Sequence, residues 1–274
     1  NSTAVAFIDY TPVNGTLTFL PGEITKTIVV ETLAAWTQED PPPEIFLVEL
    51  SNATNAHIAA GQGEGSILDN DRPSVDPPSG LISWWTGDNT PLDLMQRNDA
   101  QLASGTTYSP GRVGQAFDFD GVDDRVYLPD SESLKLTESM SIEGWVSVRS
   151  YPASQGIILF RGDDRGGLDP YSLQVLSDGT VRFGVTSLTQ STTILAPIPL
   201  NELVHVAGTL DDATGHMALY LDGALAAETF TTVRPFGDLD VNSNPGIGIG
   251  NHGGFPTTPH NFPFDGLIDE SLAL

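Results

Sequence analysis

The sequence predicts an all-β chain made of two consecutive sandwiches, and three observations carry that reading. The 274 residues include 28 Gly and 20 Pro, which interrupt the chain too often for long helices. Apolar residues recur with period two in short segments, and no segment holds a helical period. Turn-forming pairs stand between those segments, as in Asp178-Gly179 and Asp222-Gly223, which accept the positive φ that tight turns require.

The elements follow in chain order. Residues 16–20, 25–30 and 45–50 alternate apolar and polar side chains between Gly, Pro or Asn turns, so they read as antiparallel strands. Residues 73–79, Pro-Ser-Val-Asp-Pro-Pro-Ser, offer few ladder amides and favour extended chain, which makes them a short stiff linker between residues 1–72 and 80–274. Beyond it, residues 81–85, 141–148, 156–160, 172–176, 180–185, 204–210, 216–221 and 246–250 complete the predicted strands. Trp84 and Trp85 sit side by side in the first of these and must point to opposite faces, one of them into the core.

Composition excludes several functions. Asp and Glu number 36 against 11 Lys and Arg, a net charge of −25, so nucleic acid and anionic membranes are poor partners. Both parts are acidic, so neither is a basic arm. Cysteine is absent, which removes disulfide frameworks, thiolate metal sites and cysteine nucleophiles. No apolar run reaches the length of a membrane span, and no membrane insertion is expected. Gly-x-Ser-x-Gly, His-Glu-x-x-His and phosphate-cradling glycine loops are missing, as is the Glu-x-Asp-x-x-Glu stripe that would set two carboxylates across a sugar, so no catalysis is expected. An acidic surface with lysine only at Lys26 and Lys135 suits salty or calcium-containing water, so a secreted or cell-surface location is expected.

Two resemblances sharpen these expectations. Residues 1–72 resemble a Calx-beta domain, an immunoglobulin-like calcium-binding sandwich, through Ile8-Asp9-Tyr10-Thr11-Pro12-Val13-Asn14-Gly15-Thr16-Leu17-Thr18-Phe19, Pro21-Gly22-Glu23, Glu44 to Asn52, and Ile67-Leu68-Asp69-Asn70-Asp71. The resemblance implies Ca²⁺ ligands at Glu39, Asp40, Asp69 and Asp71, because calcium collects six to eight oxygens. Strands that usually precede Ser2 in such domains are missing from this sequence, and the exposed edge predicts strand donation from an upstream segment or a second copy.

Residues 80–274 resemble the laminin G-like, concanavalin A-like jelly roll. The resemblance rests on Gly80 to Trp85, on Pro110-Gly111-Arg112-Val113-Gly114-Gln115-Ala116-Phe117-Asp118-Phe119-Asp120-Gly121, on Ser141-Ile142-Glu143-Gly144-Trp145, on Leu219-Tyr220-Leu221-Asp222-Gly223 and on Phe264 to Glu270. It implies that His205 is a structural histidine. It also places Asp118, Asp120, Asp123 and Asp124 near Asp88 and Asp269, where a structural Ca²⁺ or turn hydrogen bonds must offset carboxylate repulsion. Similarity to the pentraxins implies a ligand site on two loops, drawing on Arg161, Asp163, Asp164, Arg165 and Asp169 from one and Asn251, His252, His260 and Asn261 from the other. That mixture of charged, amide and ring side chains suits a glycan or an extracellular protein partner. The expected function is therefore recognition without catalysis, with a structural module of an extracellular filament as the alternative.

Overall fold

The computed structural model describes residues 3–6, 9–32, 44–67, 77–163, 165–166, 169–252 and 261–274. Two compact units divide the chain, residues 1–77 and 78–274.

In the first unit, the strand expected at residues 45–50 forms as β1 (Glu44–Glu49) and pairs antiparallel with β2 (Gln62–Ile67). Tyr10 stacks on Phe46 of β1 at 5.1 Å. Residues 16–20 and 25–30 are not strands, which corrects the expectation for both segments. They lie on an excursion closed at its base, where the Thr11 N–H donates to the Glu31 carbonyl, and at its tip, where the Glu23 N–H donates to the Leu20 carbonyl. Alternation marks a face that a sheet could bury, but no strand among the described residues covers it, and Phe19, Ile24 and Val29 remain exposed. The expected Ca²⁺ ligands Glu39, Asp40, Asp69 and Asp71 lie outside the described residues, as do Asp164 and His260 of the expected loop pair.

The second unit is a two-sheet antiparallel sandwich. One sheet contains β4 (Gln101–Ala103), β7 (Arg125–Pro129), β9 (Gln155–Gly162), β10 (Tyr171–Leu176), β11 (Thr180–Thr186), β12 (Ser191–Pro197) and β16 (Gly246–Ile249), ordered β12-β11-β10-β9-β16-β7-β4. The other contains β3 (Ser83–Trp85), β5 (Thr107–Pro110), β6 (Gln115–Asp120), β8 (Met140–Val148), β13 (Leu203–Leu210), β14 (His216–Leu221), β15 (Ala224–Phe230) and β17 (Asp265–Ala273). Its order is β15-β14-β13-β8-β17-β6-β5, with β3 also paired to β17.

The period-two pattern explains the layering. In β8, Met140, Ile142, Val146 and Val148 point inward, while Ser141, Glu143, Trp145 and Ser147 alternate onto the outer face. Trp85 enters the core fully buried and donates from Nε1 to the Asn98 carbonyl at 2.8 Å, while Trp84 points the other way. Phe117, Phe119, Phe183 and Phe264 fill the space between the sheets. The turns read from sequence form as expected, with Asp222 and Gly223 at φ 48° and 77°.

Candidate functional site

The outer face of the eight-stranded sheet carries a polar and aromatic cluster centred on Trp145. Register places His205 of β13 opposite Trp145 of β8, and Trp145 opposite Asp269 of β17. The His205 ring meets the half-buried indole edge-on at 5.3 Å, and its Nε2 lies 3.9 Å from a Glu143 carboxylate oxygen. The Arg112 guanidinium sits 4.8 Å from the Trp145 ring centroid, within range of a cation–π contact. The same alternation that sends Val204 and Val206 inward puts His205 on the outer face.

Two carboxylates hold the loop that delivers Arg112. Asp269, fully buried, accepts from the Arg112 and Val113 N–H groups at 2.6 and 3.1 Å through Oδ2, and Asp88 accepts from the Gln115 N–H at 2.7 Å. Gly111 is needed for this approach, because a Cβ there would lie 2.5 Å from the Asp269 carboxylate oxygen. The second Asp269 oxygen is buried without a hydrogen bond among the described residues. Burial pushes the Asp269 carboxyl up to about 6, against the lowering effect of the two amides, and the Asp88 charge adds to the rise. Next to it, Glu270 takes a positive φ of 51° where the β17 ladder shifts register, and this turns its carboxylate to the Trp84 indole N–H. Burial raises Glu270 to about 7, and the Asp269 charge adds to the rise.

The residues expected to share one calcium corner separate into three groups. Asp88 and Asp269 hold the Arg112 loop, as described. Asp118 pairs with Arg149 at 2.6 Å and accepts from Ser109, while Asp265 pairs with the same guanidinium at 2.5 Å. Asp120 stays with Asp123 and Asp124, and one carboxylate oxygen from each lies within 4.8 Å of the others. This trio fits a hard cation, although one Asp124 oxygen already accepts from the Asp120 N–H at 3.0 Å. Asp118, Asp88 and Asp269 do not join this trio among the described residues: Asp118 is engaged by Arg149 and Ser109, and Asp88 and Asp269 hold the Arg112 loop.

The loop pair also differs from the expected solvent-facing rim. Arg161 is fully buried, and its Nε and Nη2 bond the Asp130 carboxylate at 2.8 and 3.0 Å while Nη2 also reaches the Gly237 carbonyl. Asp163 is buried and takes the Arg165 guanidinium at 2.6 Å and the Asp240 N–H at 2.9 Å. Burial alone would raise Asp163, but these donors hold it below the ordinary carboxylate value. Asp169 is pushed up to about 7, first by burial and then by the Asp163 charge. Asn251, fully buried, donates to the Asn261 side chain at 2.8 Å and accepts from the His252 and Phe262 N–H groups. His252 is buried with its ring 4.8 Å from Phe160. The first loop ties itself to segment 236–240 and the second to residues 261–262, so Arg161, Asp163, Asn251 and His252 are buried and engaged within the protein. Sequence reading missed this because arginine and aspartate are usually exposed, and only the fold reveals their partners.

Reading motifs also missed Asp93. Its two oxygens accept the backbone N–H groups of Trp84, Met95, Arg97 and Asn98, which shapes the loop after β3.

Comparison with known proteins agrees with this architecture. A laminin G-type family model, described as the concanavalin A-like lectin/glucanases superfamily, matches residues 120–272. The chain belongs to this superfamily. Among solved structures, domain 4 of AbnA, a GH43 extracellular arabinanase from Geobacillus stearothermophilus in complex with arabinotriose, is similar with a TM-score of 0.53 and 18% identity over 70% of this chain and 91% of that one. A Trypanosoma rangeli sialidase in complex with 2,3-difluorosialic acid is similar with a TM-score of 0.51 and 16% identity, covering 72% of this chain and 31% of that one. A structure from work on botulinum neurotoxin type C, whose cell entry depends on two ganglioside molecules, gives a TM-score of 0.53 and 16% identity over 71% of this chain and 48% of that one. The chain thus spans less than half of the sialidase and neurotoxin chains. At these identities the likeness shows the fold. No curated protein matches the chain.

Proposed function

We propose that the superfamily domain is a non-catalytic glycan-binding module of a secreted or cell-surface protein, and that it binds sugar on the outer face of the eight-stranded sheet. The observation that carries this reading is the half-buried Trp145 indole with Arg112, His205 and Glu143 around it. An aromatic ring offers a flat apolar surface to the C–H face of a pyranose or furanose. The surrounding donors and acceptors then select the orientation of its hydroxyls. The arabinotriose complex of the similar arabinanase domain supports sugar as the ligand class.

Nothing in this arrangement requires bond cleavage. Asp269 and Glu270 are both buried, one bonded to loop amides and the other to the Trp84 indole, so neither is presented to a glycosidic oxygen. As part of the same proposal, Asp120, Asp123 and Asp124 hold a structural Ca²⁺. Chelation should then lower Tm, and an unchanged Tm would remove calcium from the proposal. Binding itself is tested with a glycan array, followed by calorimetry on the sugars retained. Wild-type chain should retain a defined set of glycans and Trp145→Ala should lose them while remaining folded.

A further inference from the structure

We infer that the second unit carries another sugar-binding site, separate from the Trp145 face, in an open cleft between the edge strands β12 and β15, and that it takes a neutral carbohydrate chain. It relies on the preceding reading only for the ligand class. The cleft has a volume of 640 Å³, within the range of roughly 300–1,000 Å³ seen for small-molecule sites. Its position follows from the topology. Strand β12 ends one sheet and β15 ends the other, so the sandwich is open along this margin.

The lining has the chemistry that sugars require. Ser191, Thr192, Thr214, Thr231 and Thr232 supply hydroxyls and Gln190 a carboxamide, each able to donate and accept as a sugar hydroxyl does. Thr192 and Thr231 share a hydrogen bond of 2.7 Å that joins the two sheet edges. The Ser191 and Thr232 hydroxyls and the Gln190 side chain make no hydrogen bond among the described residues, so they are free for a ligand.

A stacking platform stands beside them. Phe230 is 71% exposed, so most of its ring is open to a ligand. It does not swing freely, because it lies opposite His216 across the β14–β15 ladder with the rings 5.1 Å apart, and His216 Nε2 is held 2.7 Å from Glu228. An exposed ring fixed in place beside hydroxyls loses little rotamer freedom when a sugar stacks on it.

The charge around the cleft sets the ligand class. Asp211, Asp212 and Glu228 stand near it, and the nearby Arg234 is already held by Asp212 at 2.5 Å. An acidic glycan would meet net negative charge and an arginine already engaged, whereas a neutral chain meets only hydrogen-bonding groups and a ring. Register puts Met140 of β8 level with Thr229 beside Phe230, so the cleft lies three strands across and about five residues along the sheet from Trp145, roughly 22 Å by ordinary strand geometry.

Amide chemical shifts of the whole chain, titrated with arabinotriose, xylotetraose and cellotetraose, test the inference. Trigalacturonate and a strand-forming peptide of alternating Thr and Val serve as controls. At least one neutral oligosaccharide should shift residues 190–192, 214 and 230–233. Those shifts should persist in Trp145→Ala and weaken at least tenfold in affinity in Phe230→Ala. Phe230→Trp should restore binding, which separates loss of the ring from loss of local structure. Shifts confined to Trp145, His205 and Arg112 would overturn the cleft and leave the face reading intact. Cleft shifts alone would do the reverse, and silence at both places would overturn both. Equal response to trigalacturonate, or response to the peptide alone, would overturn the neutral-sugar assignment.

Discussion

Arg161 shows how a residue's surroundings decide its role. Its side chain is fully buried and bonded to Asp130 and Gly237, so Arg161→Ala removes a buried ion-pair partner and leaves a cavity. Such losses cost about 3–5 kcal/mol, and the partial exposure of Asp130 places this one near 3 kcal/mol. Denaturant unfolding should show that loss, while an unchanged midpoint would mean the guanidinium serves a ligand instead. A second residue-scale prediction concerns Asp269, Glu270 and Asp169, whose carboxyls rise to about 6, 7 and 7. Between the ordinary carboxylate value and these values, the folded chain holds more protons than the unfolded one. The stability these groups contribute is therefore fully present near pH 4 and is lost as pH rises through 6 to 7. Tm should fall between pH 5 and pH 8. Asp269→Asn keeps an oxygen for the Arg112 and Val113 amides, so it should flatten that slope, and an identical slope would contradict the assignment.

At the scale of elements, the Gly111–Gln115 loop links the interior to the proposed sugar face. A Cβ at 111 would crowd the Asp269 carboxylate, so Gly111→Ala should push the loop outward and carry Arg112 away from Trp145. Overpacking of this kind costs about 1–3 kcal/mol. We expect glycan affinity to fall more than that stability loss explains, measured by calorimetry well below Tm. Legibility in the sequence followed the same division. Strands with one buried and one exposed face were readable, because period-two alternation survives any partner, and β8, β13 and β14 lie close to where alternation put them. Segments 16–20 and 25–30 alternate equally well but have no partner strand among the described residues, and pairing is a property of two segments. Short edge strands such as β4 and β5 carry too few residues to show a period. For the site, the apolar alternation around His205 held the signal for its outward position. The joining of Trp145 to Arg112 and Asp269 depends on register between strands more than a hundred residues apart, and that exists only in the fold.

For the whole molecule, a net charge of −25 means that ligand recognition works against a negative field. Sugars without charge escape that repulsion, and both proposed sites rely on rings and hydrogen bonds rather than on clustered cations. The superfamily fold supplies the platform, while the side chains on its outer face and open margin supply the chemistry. The central claim is that Trp145 is the stacking surface of a glycan-binding face. It is tested most directly by calorimetric titration of wild type and Trp145→Ala with a glycan that the array retains. The account predicts at least a tenfold weaker Kd for the variant, about 1.4 kcal/mol, with the variant still folded at the titration temperature. Equal binding by the two proteins would contradict it.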